Sequence, residues 1–172
     1  MKIGLVGTVS VGKSTLVKAL KKRKELKGYK ALVERSKYLR NLGIPLNTDS
    51  TAKGQMVFMA ERASELMLEN VLTDRTIWDV CAFTLSSKTI PQLHKERLVE
   101  AATTLMGEYD LVIYVSPEGV EIEDNGVRET DSEYRDKIDY AIRALLTHYP
   151  PKKLITVSGS TKERIDYILP HL

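Results

Sequence analysis

The chain has 172 residues, 42% of them hydrophobic and 28% charged, and its 26 basic against 23 acidic side chains leave a formal net charge of +3. That length suits one domain, able to bury roughly two thirds of its unfolded surface. No apolar run approaches the ~20 residues that cross a bilayer, and so small a charge does not call for a nucleic-acid partner. The single cysteine, Cys81, excludes an internal disulfide and sits among Val80, Ala82 and Phe83 as a buried structural thiol. His94, His148 and His171 are too scattered for a metal cluster. The first residues enter a strand directly, without an apolar leader, so a cytoplasmic location with no membrane partner is expected.

Residues 2–6 read as a short apolar strand that runs into Gly7-Thr8-Val9-Ser10-Val11-Gly12-Lys13-Ser14-Thr15. This fits G-x-x-x-x-G-K-[ST] between a strand and a helix, the spacing of a phosphate-binding P-loop. Gly7 and Gly12 permit turns that aim consecutive backbone N–H groups, those of Val9, Ser10 and Val11 among them, at a polyphosphate. Lys13 adds a cation near the β- and γ-phosphates, the Ser14 hydroxyl suits Mg²⁺, and the helix that opens through Ser14 and Thr15 brings its positive dipole end.

That first helix is predicted over 13–26. Seven basic residues between Lys18 and Lys30, against Glu25 alone, read as its solvated end. A strand over 30–34 and a helix over 35–42 follow, then a loop with Pro45 and Asn47-Thr48-Asp49-Ser50. Over 53–69 Met56, Met59, Ala60, Ala63, Leu66 and Met67 recur at helical spacing. Gln55 and Arg62 share a flank beside that face, suited either to a nucleobase edge or to solvent. Residues 71–73 read as a buried strand presenting Asp74 and Arg75. Helices over 76–86 and 91–106, a strand over 111–115, a helix capped by Thr130-x-x-Glu133, a strand over 154–157 and a last helix capped by Ser160-x-x-Glu163 complete the chain. Short apolar strands alternating with helices imply a three-layer α/β/α sandwich around a five-stranded parallel sheet, a P-loop NTPase fold in a single domain over 1–172. Ligands then bind beyond the C-terminal strand ends.

The charged residues at those ends are the candidates for chemistry. In P-loop folds the strand ending at Asp74 commonly lies beside the first, which puts its carboxylate near Ser14 and the Mg²⁺; a helix N-cap is its other reading. Arg75 suits a phosphate clamp, and Glu34 a base for an attacking hydroxyl. The segment 116–133 holds seven acids and one cation, Arg128. Folded over the nucleotide as a lid, it would bring Arg128, and Arg135 one turn on, to the phosphates. An acidic surface loop is the alternative. Trp78 and Phe83 suit a stacked base or the core.

Asp74-Arg75, followed by a helix reaching Phe83, resembles the D/E-R motif of thymidylate kinases and deoxynucleoside kinases. The order of parts over nearly the whole chain is similar to compact P-loop kinase-like ATPases, a group that includes nicotinamide riboside kinase domains and several phage proteins. Glu34, Gln55, Asp74-Arg75, Gly126-Val127-Arg128 and Arg164 carry that likeness. Two departures stand out: the lid reads Asp124-Asn125-Gly126, one residue longer than the usual Asp-Gly, and Lys37 stands where an arginine is expected.

The resemblance implies ATP and Mg²⁺ as cofactors and transfer of a phosphoryl group to a nucleoside or nucleotide, with adenine near Val157-Ser158-Gly159. Glu34, Lys37, Gln55, Arg62, Arg75 and Arg135 would then face the acceptor. A kinase acting on polynucleotide ends or on a modified base, using the Lys18 to Lys30 surface, is the alternative, followed by a non-catalytic nucleotide sensor. No N-K-x-D guanine signature is present, a chain of this length has no room for an AAA-type helical subdomain, and a homodimer is compatible with the sequence.

Overall fold

The computed structural model describes residues 1–33, 35–120 and 132–172. Glu34, Arg128, the Asp124-Asn125-Gly126 run and the Thr130 cap therefore lie outside the described residues. Five parallel strands, β1 (Lys2–Val6), β2 (Lys30–Leu32), β3 (Val71–Asp74), β4 (Leu111–Val115) and β5 (Leu154–Val157), form one sheet in the order β2-β3-β1-β4-β5. The predicted α/β/α sandwich is thus the observed architecture.

Period-two alternation sorts the strand side chains between two cores. Leu111, Ile113 and Val115 point to one, with Ile3 and Leu5; Val112 and Tyr114 point to the other, with Val6. Helices α1 (Lys13–Leu20) and α7 (Thr161–Ile168) cover the first face. The second face is covered by α4 (Ile77–Ser86) and α6 (Ser132–His148), with α3 (Ala52–Leu66) and α5 (Gln92–Met106) packed on α4. The short α2 (Ser36–Asn41) follows β2. Trp78 belongs to the second core, where its ring lies 5.6 Å from Tyr109 and its Nε1 donates to the Tyr149 carbonyl. Cys81 is buried there too, its thiol pushed up to about 12 by desolvation.

Two helices differ from their predicted form. The first ends at Leu20, and Lys24–Leu26 is a separate 3-10 turn. A straight continuation would stack like charges three and four apart and carry Leu26 away from the core, whereas the turn buries Leu26 to 1% exposure. On α3 the predicted apolar face is rotated: Met56 and Met67 are exposed, while Gln55 and Arg62 are each 2% exposed. The sheet's C-terminal edge explains the inversion, because polar groups there need partners from α3.

Candidate active site

The parallel pairing of β1 with β3 sets Leu5 opposite Asp74, so the P-loop and the Asp74–Arg75 turn leave the sheet side by side. Gly12 adopts φ +82° as the cap of α1, a left-handed conformation that side chains resist. At Gly7 the limit is space, since a Cβ there would come within 2.7 Å of the Val115 carbonyl oxygen. Lys13, 6% exposed, curls over the loop and donates from Nζ to the carbonyls of Gly7 and Thr8 at 2.6 Å each. Ser14 Oγ donates a hydrogen bond to Asp74 Oδ2. Asp74 does not cap the following helix. Thr76 does, in a capping box with Asp79.

Asp79, absent from the candidates that the sequence offers, ties the two loops together. Its Oδ2 accepts from Thr76 N at 2.7 Å and Thr76 Oγ1 at 2.9 Å. Its Oδ1 accepts from Gly7 N at 3.4 Å and from Arg75 Nη1 at 3.3 Å. The spacing Thr76-x-x-Asp79 was the available signal, that of a capping box one methylene short. Arg75 also stacks its guanidinium 4.7 Å from the Phe83 ring centroid. Its backbone takes φ +101°, a conformation that costs a residue other than glycine about 1–3 kcal/mol.

Three cavities open on these residues. One of about 380 Å³ runs from Val9, Ser10, Val11, Gly12, Lys13 and Ser14 to Lys18, Lys37 and Asp74. A second, a recess of only about 40 Å³, lies against it and shares Ser36, Asn47 and Arg75; its walls are Phe58, Val80, Phe83 and Gln55, whose buried Oε1 has no partner among the described residues. The third, about 270 Å³, separates Gly12 and Thr15 from Gly159, Ser160 and Thr161. Exposed Ser158 adjoins it. Arg164, in its wall, donates to the Val11 carbonyl at 2.7 Å, and desolvation lowers the pKa of its guanidinium.

Two arginines predicted to meet the acceptor go elsewhere. Arg62 turns inward, donating to the Asp74 carbonyl at 3.3 Å and to Glu65 at 2.7 Å, because a buried guanidinium needs acceptors and the turn offers them. Arg135 lines neither cavity beside Arg75; it braces the chain after β4, donating to the carbonyls of Val120 at 2.7 Å and Pro117 at 3.0 Å. Ser14 and Asp74 supply a hydroxyl and a carboxylate, the hard oxygen donors that suit a Mg²⁺ ion retaining most of its waters. Among the described residues no group of three His, Cys, Asp or Glu could hold a metal by itself, and no helix is long and apolar enough to cross a membrane.

Burial pushes the Glu65 carboxyl up to about 7, against the pull of Arg62. Between about pH 4.5 and pH 7 the unfolded chain therefore loses this proton while the folded chain keeps it, so stability falls with rising pH and levels off above that window. The full effect is at most about 3 kcal/mol. Glu65→Gln is expected to flatten the slope in thermal melts at pH 5, 6, 7 and 8; an undiminished slope would assign it to other groups.

A model of the AAA domain family matches residues 2–164. Among solved structures, the deoxyadenosine kinase from M. mycoides with products dCMP and a flexible dCDP bound is 19% identical with a TM-score of 0.67, covering 99% of this chain and 97% of that one. The Bacillus subtilis YorR protein in complex with phosphorylated GDP is 20% identical with a TM-score of 0.60, over 99% and 95% of the two chains. NadR in complex with NAD and AMP-PNP is 14% identical with a TM-score of 0.71; the match spans 96% of this chain and 48% of NadR. No curated protein matches the sequence significantly.

Proposed function

The chain belongs to the AAA domain family, and on that premise we propose that it is an ATP- and Mg²⁺-dependent phosphotransferase that moves the γ-phosphoryl group to a nucleoside or a nucleoside monophosphate. The observation that carries this reading is the P-loop cavity of about 380 Å³, which passes Ser36, Asn47 and Arg75 into a small apolar recess of about 40 Å³ walled by Phe58, Phe83 and Gln55, whose carbonyl has no partner among the described residues. A phosphate cradle that opens beside an acceptor slot favours transfer over simple hydrolysis, because it can hold two reactants in line. The bound molecules of the structural neighbours, dCMP and dCDP in one and AMP-PNP in another, agree with such a pairing.

In this account the donor phosphates take the P-loop N–H groups and the Lys13 ammonium. Ser14 and Asp74 would hold the Mg²⁺, which when bound would supply charge neutralisation on the phosphate oxygens. The acceptor oxygen attacks the γ-phosphorus as the bond to the bridging oxygen breaks, and ADP leaves. A hydroxyl acceptor gives its proton to Glu34, whereas an ionised monophosphate needs no base and is clamped by Arg75. Arg128 meets the charge that develops on the transferring group. The donor base takes the cavity beside Gly159. Gln55 offers its carboxamide to the acceptor's base, and Lys37 adds positive charge at the entrance.

Coupled ADP release over a panel of nucleosides and deoxynucleoside monophosphates tests the reading, and turnover that no acceptor stimulates would sink it. Gln55→Ala is expected to raise the KM of the productive acceptor about tenfold while leaving the KM for ATP in place, since a buried hydrogen bond to the base is lost and the P-loop is untouched. Equal effects on both substrates would remove Gln55 from the acceptor slot.

One observation favours a second reading. Lys18 lines the P-loop cavity and also begins the exposed basic run to Lys30, which would suit a polynucleotide end as acceptor. That reading requires binding of a 5′-hydroxyl oligonucleotide that weakens steeply with salt, and salt-independent or absent binding dismisses it.

A further inference from the structure

The turn that carries Asp74 and Arg75 is held in a shape its sequence resists. Arg75 sits at φ +101°, where an L side chain crowds the backbone. Rotating the peptide plane between residues 74 and 75 would relieve it, and that plane is gripped at both ends. The Arg75 N–H donates to the Leu5 carbonyl of β1 at 3.0 Å, and the Asp74 carbonyl accepts from Arg62 Nη1 at 3.3 Å. The same nitrogen lies 3.5 Å from the Arg75 carbonyl oxygen, which also accepts from Thr73 Oγ1 at 2.9 Å. Arg62 is itself fixed by Glu65, 2.7 Å from Nη2.

We infer that Arg62 is a positioning residue whose buried guanidinium locks the Asp74–Arg75 turn in its left-handed form, thereby setting Asp74 against Ser14 and Arg75 at the acceptor cavity. The inference rests on the phosphotransferase reading for its consequence, but its evidence is the hydrogen-bond geometry. Only a planar fork can meet the turn's carbonyls and a carboxylate at once; a lysine at this position would have the charge without the span. Arg62 acts through Asp74 and Arg75, so its loss should appear first in how tightly the site holds Mg²⁺, not in how it holds the nucleotide.

Binding of the fluorescent analogue MANT-ATP, titrated with Mg²⁺, measures this without any acceptor. Arg62→Lys is expected to raise the half-saturating Mg²⁺ concentration about tenfold, as loss of support behind a metal ligand does, with MANT-ATP affinity at saturating Mg²⁺ changed less than about threefold. Leu66→Ala, which opens a cavity elsewhere on α3, is expected to lower the melting temperature and leave the Mg²⁺ requirement alone. At pH 8, where Glu65 is ionised, Glu65→Gln removes the charge behind the fork and should shift the requirement in the same direction by about threefold; it carries the test if Arg62→Lys does not fold. A wild-type Mg²⁺ requirement in Arg62→Lys, or in Glu65→Gln where that variant stands in, overturns the inference, as does an equal shift in Leu66→Ala. A wild-type protein that binds MANT-ATP with Mg²⁺ but transfers phosphate to no acceptor refutes the phosphotransferase reading alone, whereas absence of Mg²⁺-dependent binding refutes both.

Discussion

Lys13→Ala is expected to lower kcat by roughly 10²–10³-fold, the scale of removing one preorganised group that faces developing charge. The ammonium is buried and already spans the two loop carbonyls of Gly7 and Thr8, so it needs little reorganisation to meet phosphate oxygens at the same place. Its removal also leaves those carbonyls without a donor, at a cost of about 1–3 kcal/mol where they are shielded from water. A thermal melt run beside the kinetics separates the two effects. The variant should be folded at the assay temperature and still inactive, with MANT-ATP binding weakened as well. Near-wild-type kcat in Lys13→Ala would take the P-loop out of the chemistry altogether.

Asp74→Asn is the second large effect. Asparagine has the shape of aspartate and can still accept from Ser14 Oγ, so the hydrogen bond seen between the two side chains can persist. What is lost is the negative charge at a residue 1% exposed to solvent. Turnover is expected to fall by about 10²-fold, and part of that loss should return at high Mg²⁺ concentration, because a weakened metal site is refilled by mass action. Steady-state rates over a Mg²⁺ titration decide it. A drop that Mg²⁺ does not relieve would give Asp74 a role other than metal binding.

Much of the fold was legible because its signals are local. Apolar runs such as Leu111-Val112-Ile113-Tyr114-Val115 are long enough and β-branched enough to be buried strands, and the observed β4 has those bounds. The P-loop is a contiguous motif, and Asp74 followed at once by Arg75 marked a strand end facing a site. What was not legible depends on partners distant in sequence. Hydropathy put Met56 and Met67 inside and left Gln55 and Arg62 undecided, yet the turn carbonyls and the apolar slot draw in the polar pair. Nothing near Arg135 announces that the carbonyls of Pro117 and Val120 would take its donors. The end of α1 was missed for a comparable reason, since like-charge repulsion and the burial of Leu26 outweigh a helical pattern. In the sequence Arg164 is marked only by its place in a motif order. Its hydrogen bond to Val11 joins residues 153 apart in sequence and ties the cavity beside Gly159 to the crest of the P-loop.

Phosphoryl transfer is the step on which the proposed function depends, and γ-³²P-labelled ATP reads it directly. With the acceptor that best stimulates ADP release, the label is expected to appear covalently in the phosphorylated acceptor, in step with ADP and with little inorganic phosphate. Label released solely as inorganic phosphate, or ATP bound without turnover under any acceptor, would contradict the account and leave a nucleotide hydrolase or sensor in its place.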